Sequence, residues 1–301
     1  MIARSQVLLA DSSDRVKGVQ KLLEEFDLHT DGTIALKANY NSDDPFPATT
    51  HPETLRVITE HLKENSRSLI MAERSGMGNT LTVLENLGVP DLARKLGFRL
   101  QDLDFASPED WYDVQAEGLH WRRGFKLARI FKDADEVVQT CCLKTHRFGG
   151  HFTMSLKNSV GLIAARPKGT SYDYMRELHT SPFQRLMIAE INKFYKPKLI
   201  LMDAEQGFSH GGPEQGALIK PGLFLASTDR VAIDAVGVAI LRLYGTTPEV
   251  MKGRIFEQEQ IAHAANLGVG VDSAERIELV GQDELSQKAA DAIRKVLDEQ
   301  G

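Results

Sequence analysis

Short apolar segments typical of β-strands alternate with segments of helical periodicity along most of this chain. Residues 5–10, 33–37 and 68–72 have the β-like pattern, and residues 14–26 and 53–64 carry apolar side chains at helical spacing. The second half of the chain repeats the alternation. Strands that alternate with helices of about 10–15 residues are typical of parallel βαβ units. The sequence therefore predicts an α/β fold, with a mostly parallel or mixed β-sheet flanked by helices in three αβα layers.

One segment breaks this alternation. Residues at about 104–124 are acidic and irregular, and they include Trp111, Tyr112 and Trp121. We interpret this segment as an excursion from the sheet or a small lid. No repeat, low-complexity tract or flexible linker separates two halves of the 301 residues. We therefore expect a single α/β domain that covers residues 1–301 and carries this excursion.

Charge and cysteine content argue against several classes of protein. The formal net charge is −6, whereas binding to a nucleic acid backbone needs a basic surface. No run of about 18 apolar residues occurs, so we expect no membrane span. The two cysteines, Cys141 and Cys142, are adjacent and lack CxxC spacing, which argues against a disulfide and against a self-ligated iron–sulfur cluster. These features predict a cytoplasmic protein.

Basic and imidazole side chains are concentrated in residues 141–161, directly after a predicted strand at 136–142. The segment turns through two glycines into a pattern that predicts a helix beginning near Gly150. The first turn of a helix has free N–H groups and the positive end of the helix dipole, which favour an anion. The segment therefore predicts a carboxylate or phosphate pocket; the alternative is a solvated basic loop that caps a structural helix. The candidate residues are Lys144, His146, Arg147, His151, Lys157 and Asn158.

His146 is the candidate acid–base group of this pocket, because the pKa of an unperturbed imidazole lies near neutrality. Lys144 and Lys157 are the candidate anion-binding groups. Lys37 and Asn39 lie at the end of a predicted strand, where Lys37 would add a cation to the same pocket and Asn39 would orient the ligand. The alternative for Lys37 is a solvent-exposed position at a strand exit.

Two aspartates are candidate partners for these groups. Asp203 ends a predicted strand at 198–202 and precedes a glycine-rich loop that contains Gly212, a further candidate for substrate binding. A carboxylate at a strand end suits a base or a hard metal ion, although it also suits a loop cap. Asp234 lies in a predicted apolar helix and needs a partner if buried, for which a lysine of residues 141–161 is the candidate. A divalent metal ion is therefore a predicted cofactor, with Asp203, Asp234, His146 and His179 as candidate ligands.

The order of these motifs resembles the family catalogued as domain of unknown function 362. That family has a K-T-H motif, an L-K-N-x-x-G helix, an aspartate-ending strand before a G-P loop, and an S-x-D-x-x-A-x-D-A segment. The resemblance covers roughly residues 34–266, and it implies no agreed reaction. Many relatives carry an added ferredoxin-like module with iron–sulfur cysteines, which this chain lacks. The matching residues here are Lys144, Thr145 and His146; Leu156, Lys157, Asn158 and Gly161; Asp203, Gly212 and Pro213; and Ser227, Asp229, Ala232, Asp234 and Ala235.

Hypotheses from different classes follow from these residues. In the first, the chain is an enzyme that acts on a small anionic substrate, with an isomerase, lyase or redox-associated reaction. Asp203 or Asp234 would then orient His146 or a metal ion. In the second, the chain is a non-catalytic accessory or cofactor-delivery protein that docks to a redox partner through the excursion. A redox enzyme whose cofactor lies on a partner protein, and a homo-oligomer, are further alternatives.

Overall fold

The computed structural model describes residues 4–149 and 151–301. Within these residues, twelve strands and twelve α-helices follow one another along the chain. The strands are β1 (Ser5–Asp11), β2 (Thr30–Lys37), β3 (Ser66–Glu73), β4 (Arg99–Asp102), β5 (Trp111–Val114), β6 (Phe125–Ala128), β7 (Glu136–His146), β8 (His151–Phe152), β9 (Leu199–Gly211), β10 (Gly216–Ile219), β11 (Leu223–Ser227) and β12 (Ile277–Gly281). The helices are α1 (Arg15–Leu23), α2 (Pro52–Glu64), α3 (Thr80–Asn86), α4 (Val89–Leu96), α5 (Ile130–Asp133), α6 (Ser155–Asn158), α7 (Tyr174–Thr180), α8 (Gln184–Ile191), α9 (Arg230–Leu243), α10 (Pro248–Met251), α11 (Glu259–Asn266) and α12 (Glu284–Gln300).

Ten of the described strands form one sheet, and β5 and β6 form a separate antiparallel pair. The order across the sheet is β12–β1–β11–β9–β7–β2–β3–β4, and the short strands β10 and β8 pair with β9 and β7. Along this order every neighbouring pair is parallel except the two pairs that involve β11. The predicted mostly parallel or mixed sheet is therefore confirmed.

Helices cover both faces of this sheet. Successive side chains of a strand point to opposite faces, and β1 separates its apolar residues in this way. Val7 and Leu9 pack in a core with α9 and α12, whereas Leu8 and Ala10 pack in a second core with α1 and α2. Because each core lies on its own face of the sheet, the molecule has the predicted three layers.

Strand β5 and the connection to β6 lie in the segment at about 104–124 for which the sequence predicts an excursion or a lid. Trp111 and Trp121 are buried there in a third core, together with Phe125. The indole Nε1 of Trp121 donates a hydrogen bond to the carbonyl oxygen of Met187 at 3.1 Å. The two tryptophans are therefore core residues and not a docking surface, because their large apolar areas are removed from solvent.

The backbone after β7 differs from its predicted path. β7 continues past Cys142 to His146, and β8 folds back on it so that Thr145 pairs with Phe152. Helix α6 begins at Ser155 rather than near Gly150, a residue that lies outside the described ranges. β9 likewise continues to Gly211 and pairs with β10, where the sequence predicts a loop. Both strands are longer than predicted because each gains an antiparallel hairpin partner beyond the parallel sheet.

Candidate functional site

A cleft of about 570 Å³ lies beyond the carboxyl ends of β2, β3 and β7, and residues of α6 and α7 complete its wall. The carboxyl ends of parallel strands meet at one edge of a sheet, where ligands bind in open α/β folds. This geometry brings together most of the residues that the sequence singles out. Those that line the cleft are Lys37, Asn39, Lys144, His146, Lys157, Asn158 and His179.

Lys37 and Glu73 form a buried ion pair between β2 and β3. The ammonium Nζ of Lys37 lies 2.6 and 2.8 Å from the two carboxylate oxygens, and it also donates to Oδ1 of Asn158 at 3.1 Å. A side chain at Gly161 would place its Cβ 2.6 Å from Cε of Lys37. Asn158 of the L-K-N-x-x-G segment therefore contacts the ammonium of Lys37, and Gly161 leaves space for the Lys37 side chain. Both follow because this segment packs directly on the ion pair of Lys37 and Glu73.

Lys144 is held by the loop that follows β2. Its ammonium donates to the carbonyl oxygens of Pro47, at 3.3 Å, and of Ala48. Asn39 donates from Nδ2 to the same carbonyl of Ala48 at 3.0 Å, so the amide also fixes this loop. Burial lowers the pKa of Lys144, because the charged form has lost its water. Peptide carbonyl groups therefore stabilise the charge of Lys144, and no carboxylate of the described residues pairs with it.

Arg74 carries a further buried guanidinium into the same wall. Its Nε and one Nη donate to the carbonyl oxygens of Ile163 and Val160, both at 2.8 Å. The other Nη donates to the carbonyl of Ser75 at 3.1 Å. Burial lowers the pKa of Arg74, although a guanidinium remains protonated in proteins. Arg74 thus ties the end of β3 to the segment after α6 through carbonyl groups.

Lys157 differs from these cations because its ammonium has no hydrogen-bond or ion-pair partner in residues 4–149 and 151–301. The side chain lies on α6 and is partly exposed to the cleft. Burial lowers the pKa of Lys157 to about 8, and the positive charges of Lys144 and Arg74 add to the effect. The amine of Lys157 therefore changes its protonation state near pH 8.

His146 and His179 face the cleft as neutral imidazoles. Nδ1 of His146 lies 2.8 Å from the carbonyl oxygen of Phe148, and Nδ1 of His179 lies 2.7 Å from that of Met175. A carbonyl oxygen only accepts, so Nδ1 carries the proton and Nε2 keeps its lone pair. Burial lowers the pKa of His146 to about 2, with Lys157 acting in the same direction, and burial also lowers the pKa of His179. The expectation of a near-neutral pKa for His146 is therefore wrong.

Two backbone amides in the first turn of α6 are already bound by a side chain. The backbone N–H groups of Ser155 and Leu156 donate to the two carboxylate oxygens of Asp234, at 2.8 and 3.0 Å. Burial raises the pKa of Asp234 to about 7, while these two hydrogen bonds act in the opposite direction. Asp234 therefore finds its partners in the backbone rather than in a lysine, and it lies beneath α6 rather than in the cleft.

Asp203 also lies outside the cleft. Its carboxylate accepts hydrogen bonds from the guanidinium of Arg15 and from the hydroxyl of Thr54, the latter at 3.0 Å. Burial raises the pKa of Asp203 to about 6, although Arg15 and Thr54 act to lower it. The reason for this position is the length of β9, which continues to Gly211, so that Asp203 is a residue within the strand and not at its end.

Three further candidates for substrate binding lie away from the cleft. The guanidinium of Arg147, which is 38% exposed, pairs with the largely buried carboxylate of Glu214. Nδ1 of His151 contacts the carbonyl oxygen of Gly149 within its own turn. Gly212 has a φ of 69°, and a Cβ there would overlap the carbonyl of Thr145. Gly212 is therefore required by the backbone and offers the cleft no side chain.

Glu73 and Arg74 are two charged residues of the cleft that the sequence analysis does not identify. They end β3 in the same way that Lys37 ends β2, next to a predicted strand at 68–72. The rule that polar residues after parallel strands converge applies equally to this dipeptide. The position of these two residues directly after a predicted strand is therefore the signal that could have identified them.

Fold and site together define an α/β protein with a cation-rich cleft at the carboxyl edge of a mostly parallel sheet. The chain belongs to the family described as Domain of unknown function (DUF362), whose model matches residues 34–239. The resemblance inferred from the sequence motifs is thereby confirmed. Membership of this family does not identify a reaction.

Two further proteins are similar to parts of this chain. The Thylakoid-associated protein sll1697 of Synechocystis sp. is 26% identical over 202 residues, which are 67% of this chain and 60% of that protein. The lactate racemase apoprotein from Thermoanaerobacterium thermosaccharolyticum has 16% identity and a TM-score of 0.43, over 67% of this chain and 50% of its own. The chain thus spans less than two thirds of either. Among the residues with described structure, no helix has the length and apolarity to cross a bilayer, and a cytoplasmic location stays a prediction.

Proposed function

We propose that this protein is an enzyme that acts on a small carboxylate or phosphate bound in the cleft. The observation that carries the proposal is the pairing of the cations in the wall: Arg74, Lys144 and Lys157 form no salt bridge with a carboxylate of the described residues. The carboxylates of Asp104, Glu73 and Asp173 act on Arg74 only from a distance. Buried cations that have no carboxylate in direct contact favour an anionic ligand. Lys37 does not add to this excess, because Glu73 balances it.

The size and lining of the cleft fit a small molecule. A volume of about 570 Å³ lies within the range of roughly 300–1,000 Å³ that is usual for ligand pockets. Val160 and Met175 supply apolar wall between the charged groups. A compact substrate with one anionic end and a short carbon skeleton matches this combination.

Lys157 and His146 are the groups that we propose to move protons. A bound anion would raise the pKa of both, because negative charge nearby favours their protonated forms. Lys157, whose pKa burial lowers to about 8, would then become a stable ammonium against the anion. The pKa of His146, which burial lowers to about 2, would shift toward the range in which its Nε2 acts as a base.

The proposed chemical step is proton abstraction from the carbon next to a carboxylate. The C–H bond breaks, Nε2 of His146 forms the new N–H bond, and the electron pair spreads onto substrate oxygens beside Lys157. Return of the proton to carbon completes an isomerisation, whereas loss of a group from the next carbon completes a lyase reaction. In a metal-assisted version, Nε2 of His146 and of His179 would be the available ligands of the cleft.

Anion binding tests the first half of this proposal. Malonate and inorganic phosphate, titrated by calorimetry, should bind the wild-type chain, and malonate binding should weaken above about pH 8 as Lys157 loses its proton. The variant Lys157→Met should bind malonate at least about tenfold more weakly, because a charge-assisted contact is lost. Lys95→Met, at an exposed lysine of α4, is the matched control. Equal malonate affinity for Lys157→Met and wild type would contradict the proposal.

Proton exchange tests the second half. A panel of small 2-hydroxy carboxylates in deuterated buffer, followed by NMR, should show deuterium incorporation at the carbon next to the carboxylate for at least one member. His146→Gln should abolish this exchange while its thermal midpoint stays close to that of the wild type. Anion binding without exchange across the whole panel would identify a binding protein and not this enzyme.

A further inference from the structure

Outside the cleft, one carboxylate is buried between two imidazoles. Glu190 of α8 has no exposed side-chain surface, and its Oε1 lies 2.5 Å from Nδ1 of His120 and 3.4 Å from Nε2 of His263. The two imidazole rings are 5.6 Å apart and nearly perpendicular. His120 belongs to the connection between β5 and β6, and His263 belongs to α11. Three separate segments therefore direct nitrogen and oxygen ligands to one point.

We propose that His120, Glu190 and His263 bind a divalent transition-metal ion, with zinc as the best match. One ligand atom from each residue lies within 4.8 Å of the others. Zinc binds imidazole nitrogen and carboxylate oxygen at about 2.0–2.2 Å, which places neighbouring ligand atoms roughly 3.3 Å apart. The distances of 2.5 and 3.4 Å lie on either side of that value. A small outward movement of His120, which is 33% exposed, would complete the geometry.

The charge balance around Glu190 points to a cation. A fully buried carboxylate needs positive charge or several hydrogen bonds in its surroundings. Among the described residues, no lysine or arginine pairs with Glu190; its partners are the two imidazoles and the backbone N–H of His120, which lies 3.1 and 3.0 Å from the two oxygens. A metal ion would supply the missing charge and use both imidazoles as neutral ligands.

The proposed ion would have one position open to solvent. Three protein ligands leave the fourth corner of a tetrahedron for water, as in zinc sites that bind small ligands. His120 lines a second cleft of about 590 Å³, and the wall of that cleft includes Arg176 and Thr180 of α7. The same two residues line the first cleft, so the two cavities share one helix as a wall. The ion would lie on the opposite side of α7 from Lys157.

Calorimetric titration of the chelator-treated full chain with Zn²⁺ tests this site. The wild type should bind one equivalent that His263→Ala and Glu190→Gln weaken at least about tenfold. Glu190→Gln keeps an acceptor for the backbone of His120, and His263→Ala removes a partly exposed ring, so both should fold. His29→Ala, at an exposed histidine outside both clefts, should retain the equivalent. Zinc at about a hundredfold excess over Kd should raise the Tm by roughly 5 °C in the wild type and in His29→Ala, but not in His263→Ala or Glu190→Gln.

Two results would overturn the site. One is an absence of zinc binding to the wild type at about 100 µM metal, a concentration at which even weak specific sites fill. The other is undiminished affinity in both His263→Ala and Glu190→Gln, which would assign the ion to unrelated surface groups. In either case the three residues would be a hydrogen-bonded cluster that joins α8 to α11.

Discussion

Lys37 and Lys157 line the same cleft, and their surroundings differ in one respect. Lys37 lies against the carboxylate of Glu73, and its ammonium also contacts Asn158. Lys157 has no such partner in the described parts of the chain, and burial lowers its pKa to about 8. A lysine whose charge is balanced by a carboxylate, as in Lys37, is a structural residue of the cleft wall. A lysine without one carries an unfavourable interaction that a bound anion would relieve.

Removal of the Glu73 carboxylate should have the largest effect on stability. Lys37 would then lack a counter-charge, as Lys157 does, and it would have less access to solvent than Lys157. Breaking a buried pair from one side typically costs roughly 3–5 kcal/mol, since the remaining charge stays desolvated. We expect Glu73→Gln to lower the free energy of unfolding by about that amount in urea titrations at pH 7.

The matched control is the surface pair of Arg56 and Glu60, which is one helical turn apart on α2. Glu60→Gln should change the urea midpoint little, because exposed pairs of this kind contribute little. The double variant Lys37→Met with Glu73→Met should recover most of the loss. A Glu73→Gln variant as stable as the wild type would show that the two lysines are not distinguished by their partners.

Replacement of Lys157 should act in the opposite direction. Its pKa of about 8 in the folded chain lies below the value of about 10.4 for an unfolded lysine, so the folded protein bears the full cost of protonation below pH 8. The unfolded chain binds more protons between about pH 8 and 10, so wild-type stability should rise with pH in that window.

We therefore expect Lys157→Met to be more stable than the wild type at pH 7, by roughly 1–2 kcal/mol after allowance for solvent access. The difference should shrink toward pH 10, as measured by urea unfolding at both values. Lys95→Met should show no gain. A Lys157→Met variant that is less stable than the wild type at pH 7 would mean that the ammonium is well accommodated without a ligand.

Arg147 should give the smallest effect. Its guanidinium is 38% exposed, pairs with Glu214 and does not line the cleft, although it is adjacent to His146 in sequence. We expect Arg147→Ala to shift the Tm by less than about 2 °C and to leave malonate affinity unchanged. Loss of malonate binding in this variant would extend the anion site beyond the two lysines.

Much of the fold follows from local sequence pattern. The alternation of apolar strands with amphipathic helices predicts the layers, and the ends of parallel strands predict that Lys37 and Lys144 converge. Both lysines do lie in one cleft. This works because the direction of a parallel strand determines on which edge its last residues lie, whatever the distance along the chain.

Strand length and burial do not follow from the local sequence pattern in the same way. Asp203 lies outside the cleft because β9 gains a hairpin partner and continues past it, which no property of residues 198–203 indicates. The amides of α6 are occupied because Asp234, far away in sequence, reaches them. The low pKa of His146 follows from desolvation in the folded chain, a quantity that depends on all neighbouring elements.

β1 takes both of its neighbours from far along the chain. Leu8 pairs with Ala226 on one side and with Val280 on the other. During synthesis the first strand therefore has no partner until residue 226 has left the ribosome. Pairings over such separations are slow and leave strand edges open in the meantime. β1 is thus translated well before either of its sheet partners and can join the sheet only once they are available.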